Sequence, residues 1–572
     1  MVFQMKSPAS VQQRALQLQK RIYESLKKEA EILLGKTPAS IREYDRENAS
    51  DFRLKTSLQA RSNSFTKKEL IETVQKTDVT FIADFHTFDQ AQRTALRIIR
   101  EAVQEPQNCK WMIGLELVPS QFQDALDAYQ TDKIELQEFH QAISYTEDWG
   151  FPWKNYEPIF DWAKENKVRL IGLNRPKILF PTPENKELHD RDQWAAGIMT
   201  DLILNERKKC NPIKMLILYG ELHVGTKHLP HQLHKISQGL ISWTTIHQNQ
   251  DRLYWQLAKQ NLERQTEVIQ LKKNVFCVFS STPWAKLQSL VNWVDGESSQ
   301  AFSNAGETEP SIDYLSMIQT YGNWIAEFLT LPPPPYEALS IFSIQNTKWI
   351  ATQMKSELFT KKEIFLIDFH IQNNQRLLIP RVNVAYLGSP SQNGAAELAA
   401  IHLLRSQNPS DILYQKGSED FHRRVLEATF GFFGSLLIQP KRKCDLPQDH
   451  LWRIKKLSNR EQRGFRFELA ARKIAIGILK KNPYPGLDLK TITSKSQLAP
   501  ASMMGARFLG QILATGMHQM LLTDQLNPSW IRKVFLTPPD SSPNFFEDRY
   551  QMLLQIPILK LIWTSPSKFD RF

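Results

Sequence analysis

Between residues 65 and 285, short apolar runs alternate with longer stretches whose apolar positions recur at helical spacing. "VTFIAD" (79–84), "WMIGLEL" (111–117), "VRLIGL" (168–173) and "KMLILYG" (214–220) have the length and composition of buried strands. Between them, "DQAQRTALRIIREAVQE" (89–105) sets Ala95, Ile98, Ile99 and Ala102 on one helix face. "PSQFQDALDAY" (119–129) opens with Pro and Ser, a helix-start signal, and "YEPIFDWAKENK" and the segment around 188–208 read as further helices. Strands alternating with helices predict an α/β fold, its mostly parallel sheet carrying helices on both faces. "NVFCVFSST" (274–282) closes that unit with one more short strand.

Outside this block the pattern changes. Residues 10–34 predict an amphipathic helix with Leu16, Leu18, Ile22, Leu26, Ile32 and Leu33 among charges, expected to dock on its own chain. "TPASIREYDRENASDF" (37–52) reads as polar loop. "DGESSQAFSNAGETEPS" (295–311) and the run Pro332 to Pro335 mark a linker. The expected organisation is an N-terminal helix and loop (1–60), an α/β domain (61–294), a linker (295–335) and a C-terminal accessory domain (336–572). That last part opens as α/β with "EIFLIDFH" (363–370) and "RVNVAYLG" (381–388), then becomes mainly helical, as in "EDFHRRVLEATFGFFGSLL" and "MMGARFLGQILATGMHQMLL".

Composition adds limits. A chain of 572 residues is too long for one core, and 41% hydrophobic with 23% charged residues is a globular mix. Its net charge of +12 is modest for this length, so no nucleic-acid partner is expected. Four cysteines without a CxxC pair argue against a disulfide framework or zinc ribbon and fit a reducing compartment. The first 35 residues hold no apolar h-region and no early cysteine for a lipid anchor. The richest apolar stretch, "MLLQIPILKLIW", is broken by Gln555, Pro557 and Lys560 and falls short of the roughly 20 residues a span needs. A cytoplasmic protein without a transmembrane segment is the expectation. No phosphate loop, nucleophile elbow or HExxH occurs.

The candidate chemistry sits where strands end. Open parallel sheets bind ligands beyond the carboxyl ends of their strands. Asp84 and His86 follow the first strand, Glu116 ends the second, and Glu221 and His223 follow the fourth. Residues i and i+2 share a face if extended geometry persists, so each acid-x-His pair would project together. A lone acid-x-His is no more than a loop feature. Two of them on one sheet, with Glu116 between, read as one site assembled from separate strands. His86, His223 and Glu116 would hold a divalent metal such as Zn, Mn or Co, with Asp84 and Glu221 orienting ligands or serving as general base. Asp368 and His370 echo the motif, and "FTKKE" occurs unchanged at 65–69 and 359–363. Duplication and coincidence both remain open for that echo.

"TEDWGFPWKNYEPIFDWAKENKVRLIGLNRP" (146–176) resembles the central signature of the ChaN-like haem-binding uptake proteins, within the wider Tiki/TraB and erythromycin-esterase-like superfamily. The family's first Gly-Glu-x-His stands here as Ala83-Asp84-Phe85-His86, with glycine and acid both altered. "IGLELVPSQFQDALDAYQ" carries the acid Glu116, and the second Gly-x-x-His is intact as Gly220-Glu221-Leu222-His223, followed by "VGTKHLPHQL". The resemblance covers residues 60–285. It implies a haem- or iron-binding protein, with a homodimer sandwiching the ligand as in some members. His86 and His223, with Tyr129, Tyr145 and Tyr156, are the candidate haem-pocket residues. Two further readings belong to the same superfamily: a metal-dependent hydrolase using His86, His223 and Glu116, and a non-catalytic scaffold of the same fold.

Overall fold

The computed structural model describes residues 10–35, 39–53, 64–104, 109–176, 184–303, 314–337, 339–342, 358–373, 375–388, 391–407, 418–458, 466–480, 499–537, 544–557, 562–563, 565, 567 and 571–572. The chain divides into two compact units, Tyr23–Pro310 with Asp570–Phe572, and Met1–Ile22 with Ser311–Phe569. No described helix is long and apolar enough to cross a membrane.

The first of these units is built on an eight-stranded sheet. Its strands are β1 (Ser64–Phe65), β2 (Val79–Asp84), β3 (Lys110–Pro119), β4 (Arg169–Asn174), β5 (Ile213–Gly220), β6 (Trp243–Gln248), β7 (Val268–Lys272) and β8 (Val275–Val278), in the order β1-β7-β8-β6-β2-β5-β3-β4. The pairs from β8 to β4 are parallel and only the β7 and β1 edge is antiparallel. The chain passes from β2 outward to β3 and β4, returns to insert β5, and then crosses to β6 on the far side of β2. The order therefore reverses beside β2 and β5, where α/β sheets open a ligand crevice.

Alternation along the strands sorts the core into two layers. Ile82, Ile113, Leu115, Leu216 and Leu218 face one layer, made by the helices Asp89–Val103 and Trp153–Glu165. Phe81, Ala83, Met215, Ile217 and Tyr219 face the other, against the helix Glu184–Lys208. Helices cover both faces, as the pattern of the chain predicts.

Several local expectations are corrected. The segment 37–52, read as loop, contains the helix Ala39–Asn48, because Tyr44, Asn48 and Phe52 recur every fourth residue and are all buried. Strands β6 and β7 were not anticipated: "WTTIHQ" and "VIQLK" are too polar to read as core runs, although β6 is buried nearly throughout. The stretch read as linker holds the end of the helix Pro283–Ser303 and the helix Tyr314–Phe328. In the helix Val11–Leu34, Ala15, Leu18, Ile22, Leu26 and Ala30 are buried, while Ile32 and Leu33 are exposed.

The second unit is mainly helical, with a small sheet of Ser340–Phe342 (β9), Leu377–Ile379 (β10) and Val384–Tyr386 (β11) in the order β10-β11-β9. Its long helices Gln392–Gln407, Ser418–Ile438 and Ala499–Leu522 pack closely; a Cβ on Gly434 would lie 2.3 Å from that of Ala400. "EIFLIDFH", expected as a strand, is part of the helix Lys361–Gln372. Its buried positions fall at Glu363, Leu366 and Ile367, a helical spacing that the short apolar run conceals. Asp368 and His370 are thus helical residues and not a second strand-end pair. The repeated "FTKKE" is a capping box in both places: Thr66 with Glu69 and Thr360 with Glu363.

Candidate functional site

β2 and β5 end level, with Asp84 paired in register to Gly220. After Asp84 the chain turns at once, closed by Phe88 N–H to the Phe85 carbonyl. That turn brings His86 back, so its Nδ1 lies 2.8 Å from Asp84 Oδ2. Tyr156 O–H donates to the same oxygen at 2.8 Å, and Gln92 Nε2 donates to Oδ1 at 2.5 Å. The aspartate is fully buried and held from three sides.

After Gly220 the chain also turns: His223 N–H donates to the Gly220 carbonyl and Leu229 N–H to that of His223. Extended geometry does not persist, so Glu221 and His223 diverge. Glu221 binds Lys286 Nζ at 2.7 and 3.0 Å. His223, buried, points Nδ1 at Asp192 Oδ1, 2.6 Å away.

Glu116 reaches the same point from β3, within the register shift between Leu115 and Pro119. Its Oε2 accepts the Gly220 N–H at 2.5 Å, and its Oε1 is ion-paired with Arg191. His86 Nε2 is 3.9 Å from Oε2 and His223 Nε2 is 3.6 Å from Oε1. Burial alone would raise the Glu116 carboxyl, but Arg191 and then His223, His86 and the Gly220 N–H pull it down to about 2. Burial likewise disfavours the His86 cation, yet Asp84 and then Glu116 outweigh it and the pKa is raised.

Residues 70–193, which contain β2, β3, β4 and the first histidine, match the family model described as haem-binding uptake, Tiki superfamily, ChaN. This segment is ChaN-like. Among solved structures, one titled for cofacial haem binding to ChaN of Campylobacter jejuni is 17% identical, covering 38% of this chain and 94% of that one with a TM-score of 0.29. No curated protein matches the chain.

Beside the ChaN-like segment opens a cavity of about 1770 Å³, beyond the usual 300–1,000 Å³ of small-ligand sites. Asp84, His86, Glu116, Glu221 and His223 all line it. Trp149 and Phe151 of the "WGFPW" segment pack their rings on the His86 imidazole, with centroids 4.5 and 4.8 Å away, and Phe151 also lines the cavity. Tyr156 is not on that wall; it is a buried residue that holds Asp84, and burial first, then the Asp84 charge, raises its pKa well above the ordinary value. Tyr129 stacks on Phe139 at 4.8 Å, packed against the apolar core. Tyr145 donates to the Phe151 carbonyl and stacks on His140.

Among the described residues, the triplets whose ligand atoms all lie within 4.8 Å of one another are His189, Asp192, His228 and Glu419, His422, Glu547. His86, Glu116 and His223 do not gather that tightly, and Arg191 already holds a cation against Glu116. Asp192, Arg191, Gln92 and Lys286 were not singled out from the sequence. Asp192 had a signal: it is a charge on the apolar stripe of its helix, in phase with Ala195, Ala196 and Met199.

Proposed function

We propose that the cavity beside the ChaN-like segment binds haem, with His86 as the iron ligand. The observation that carries this is the setting of His86: Asp84 fixes Nδ1, and the ring stands on the cavity wall between Trp149 and Phe151. A carboxylate on the far nitrogen is the usual support of a metal-ligating histidine, since it sets the tautomer and the ring angle. The family description of residues 70–193 supports the choice of haem. Bound haem would supply an iron centre, and His86 would be the residue that holds it.

The remaining wall suits such a molecule. Phe85, Phe151, Trp255, Leu287, Leu290 and Trp293 offer apolar cover for a macrocycle. Lys27, Arg53 and Lys259 supply positive charge for its carboxylates. Glu116 serves this reading better than the hydrolase one. A carboxyl held near 2 by Arg191 is a weak base, and its task is to fix Gly220 and balance charge between the histidines.

Titration of the purified protein with haemin tests the proposal. A saturable Soret shift in the parent that disappears in His86→Ala is expected; an unchanged titration in that variant overturns the assignment. Light scattering in the same titration reads whether two copies enclose the ligand.

A further inference from the structure

A second cavity, of about 100 Å³, lies within the helical unit. Among the described residues, Arg376, Arg405, Arg423, Arg424 and Arg507 stand on its wall, with the carboxylates Glu397 and Glu427. They come from separate elements, the helices Gln392–Gln407, Ser418–Ile438 and Ala499–Leu522 and the segment before β10. Convergence of one charge sign from so many directions is costly unless something opposite joins it.

The acids present are already engaged. Glu397 Oε2 accepts from Arg376 at 3.0 Å and from Arg442 at 2.7 Å. Glu427 Oε1 holds Arg423 at 2.9 Å and also Arg405. Asp420 takes Arg423 at 2.9 Å and Arg424 at 2.6 Å. Arg507 feels Glu397 and Arg376, but no described carboxylate forms an ion pair with it. Among the described residues and with Arg442 included, these arginines exceed Glu397, Glu427 and Asp420 by three charges.

The field is visible on a neighbour. His370, on the same wall, is pushed down to about 3, by burial first and then by Arg424, Arg507 and Arg423. It therefore stays neutral and adds no charge at neutral pH.

We propose that this arginine-lined cavity binds a small oxyanion, either free phosphate or the phosphate head of a small phosphomonoester. Guanidinium forks match tetrahedral oxyanions with paired hydrogen bonds, which lysines do not. At about 30 Å³ per water, the space equals roughly three waters, enough for one such group. This site belongs to the half of the chain outside the ChaN-like segment and is independent of haem.

The test uses the full chain. Inorganic phosphate, a small phosphomonoester such as glycerol phosphate, and sodium chloride at matched ionic strength are compared by calorimetry and by thermal unfolding. Phosphate is expected to bind saturably and raise the unfolding midpoint, while chloride does neither. Tighter binding of glycerol phosphate than of phosphate would assign the phosphomonoester, and the reverse order free phosphate. Arg507→Met should weaken phosphate at least tenfold, and Arg507→Lys should restore part of it, with circular dichroism confirming the fold. Equal effects of chloride and phosphate, or undiminished binding in a folded Arg507→Met, would overturn the proposal. Should that variant fail to fold, phosphorus NMR of inorganic phosphate with the parent still decides, because absence of protein-dependent broadening or shift also overturns it.

Discussion

Glu116 lies between the two histidines, 3.9 Å from His86 Nε2 through one oxygen and 3.6 Å from His223 Nε2 through the other. Neither approach is a hydrogen bond, since the carboxylate is satisfied by Arg191 and the Gly220 N–H. The histidines look equivalent in sequence but differ in setting. The His86 side chain is 21% exposed and that of His223 4%. We expect His86→Ala to abolish the haemin Soret shift. His223→Ala should instead cost stability, about 1–3 kcal/mol, because Asp192 Oδ1 is left buried without its partner. Equal loss of binding in both single variants, with nothing added in the double, would show one shared ligand set.

Asp84→Asn tests the support of His86 separately. The amide keeps the size but removes the charge that holds the Nδ1–H, and it accepts less well from Tyr156 and Gln92. Haem affinity should fall 10- to 100-fold, as for other lost carboxylate–histidine supports. Tyr156→Phe removes one of the three donors and should fall between parent and Asp84→Asn. A Tyr156→Phe variant weaker than Asp84→Asn would make the tyrosine the more direct participant.

Gly220 is closely hemmed in by the site's own side chains. A Cβ there would sit 3.0 Å from Glu116 Oε2 and 3.2 Å from His86 Nε2. Gly220→Ala should therefore push the two side chains apart and reduce haem binding, while circular dichroism and cooperative unfolding persist. Unchanged haem affinity in Gly220→Ala would show that the ligand does not use this corner.

How much of this was legible follows from what each residue's signal depends on. The alternation of β2 to β5 with helices is a local hydrophobic pattern, and so is the placing of His86 just after β2 and Glu116 in the last part of β3. The divergence of Glu221 from His223 depends on the turn after Gly220, whose hydrogen bonds are main-chain and leave no mark in side-chain spacing. Asp192 and Arg191 join the site only because their helix packs on one sheet face, a tertiary relation. The strand reading of "EIFLIDFH" failed because four apolar residues in a row fit a buried strand or a helix equally. Thr360 and Glu363, the capping pair, were the signal that separates them.

The two perturbed groups set opposite limbs of the pH profile. Glu116 is depressed from 4.5 to about 2, so its contribution is full above 4.5 and is lost as pH falls toward 2. Complete loss would be about 3 kcal/mol at 1.36 kcal/mol per pKa unit. His86 is raised above 6.5, so its contribution is full below 6.5 and is lost as pH rises through the folded value. The ligand-free protein should therefore keep both contributions between pH 4.5 and 6.5. Haem affinity should run the other way on the alkaline side, since only neutral imidazole ligates iron. Thermal unfolding against pH checks this: Glu116→Gln should flatten the acid limb, and an unaltered limb would mean another carboxylate dominates it.

The twin capping boxes make the last prediction. Glu69 N–H donates to Thr66 Oγ1 at 3.2 Å and Glu363 N–H to Thr360 Oγ1 at 3.3 Å, so the caps are nearly superimposable in bonding. Thr66→Ala and Thr360→Ala should each cost about 1 kcal/mol, the usual loss on removing a threonine N-cap. The acids differ. Glu69 is fully exposed beyond its cap, whereas Glu363 is buried and also pairs with Arg381 at 3.2 Å. Glu363→Ala should therefore destabilise more than Glu69→Ala, because it leaves Arg381 without its partner as well as the cap open. Hydrogen exchange of the helices Lys67–Lys76 and Lys361–Gln372 gives the two losses separately. Equal losses for the two acids would mean that the Arg381 pair adds nothing, and that the repeated five residues are a helix-start device and no more.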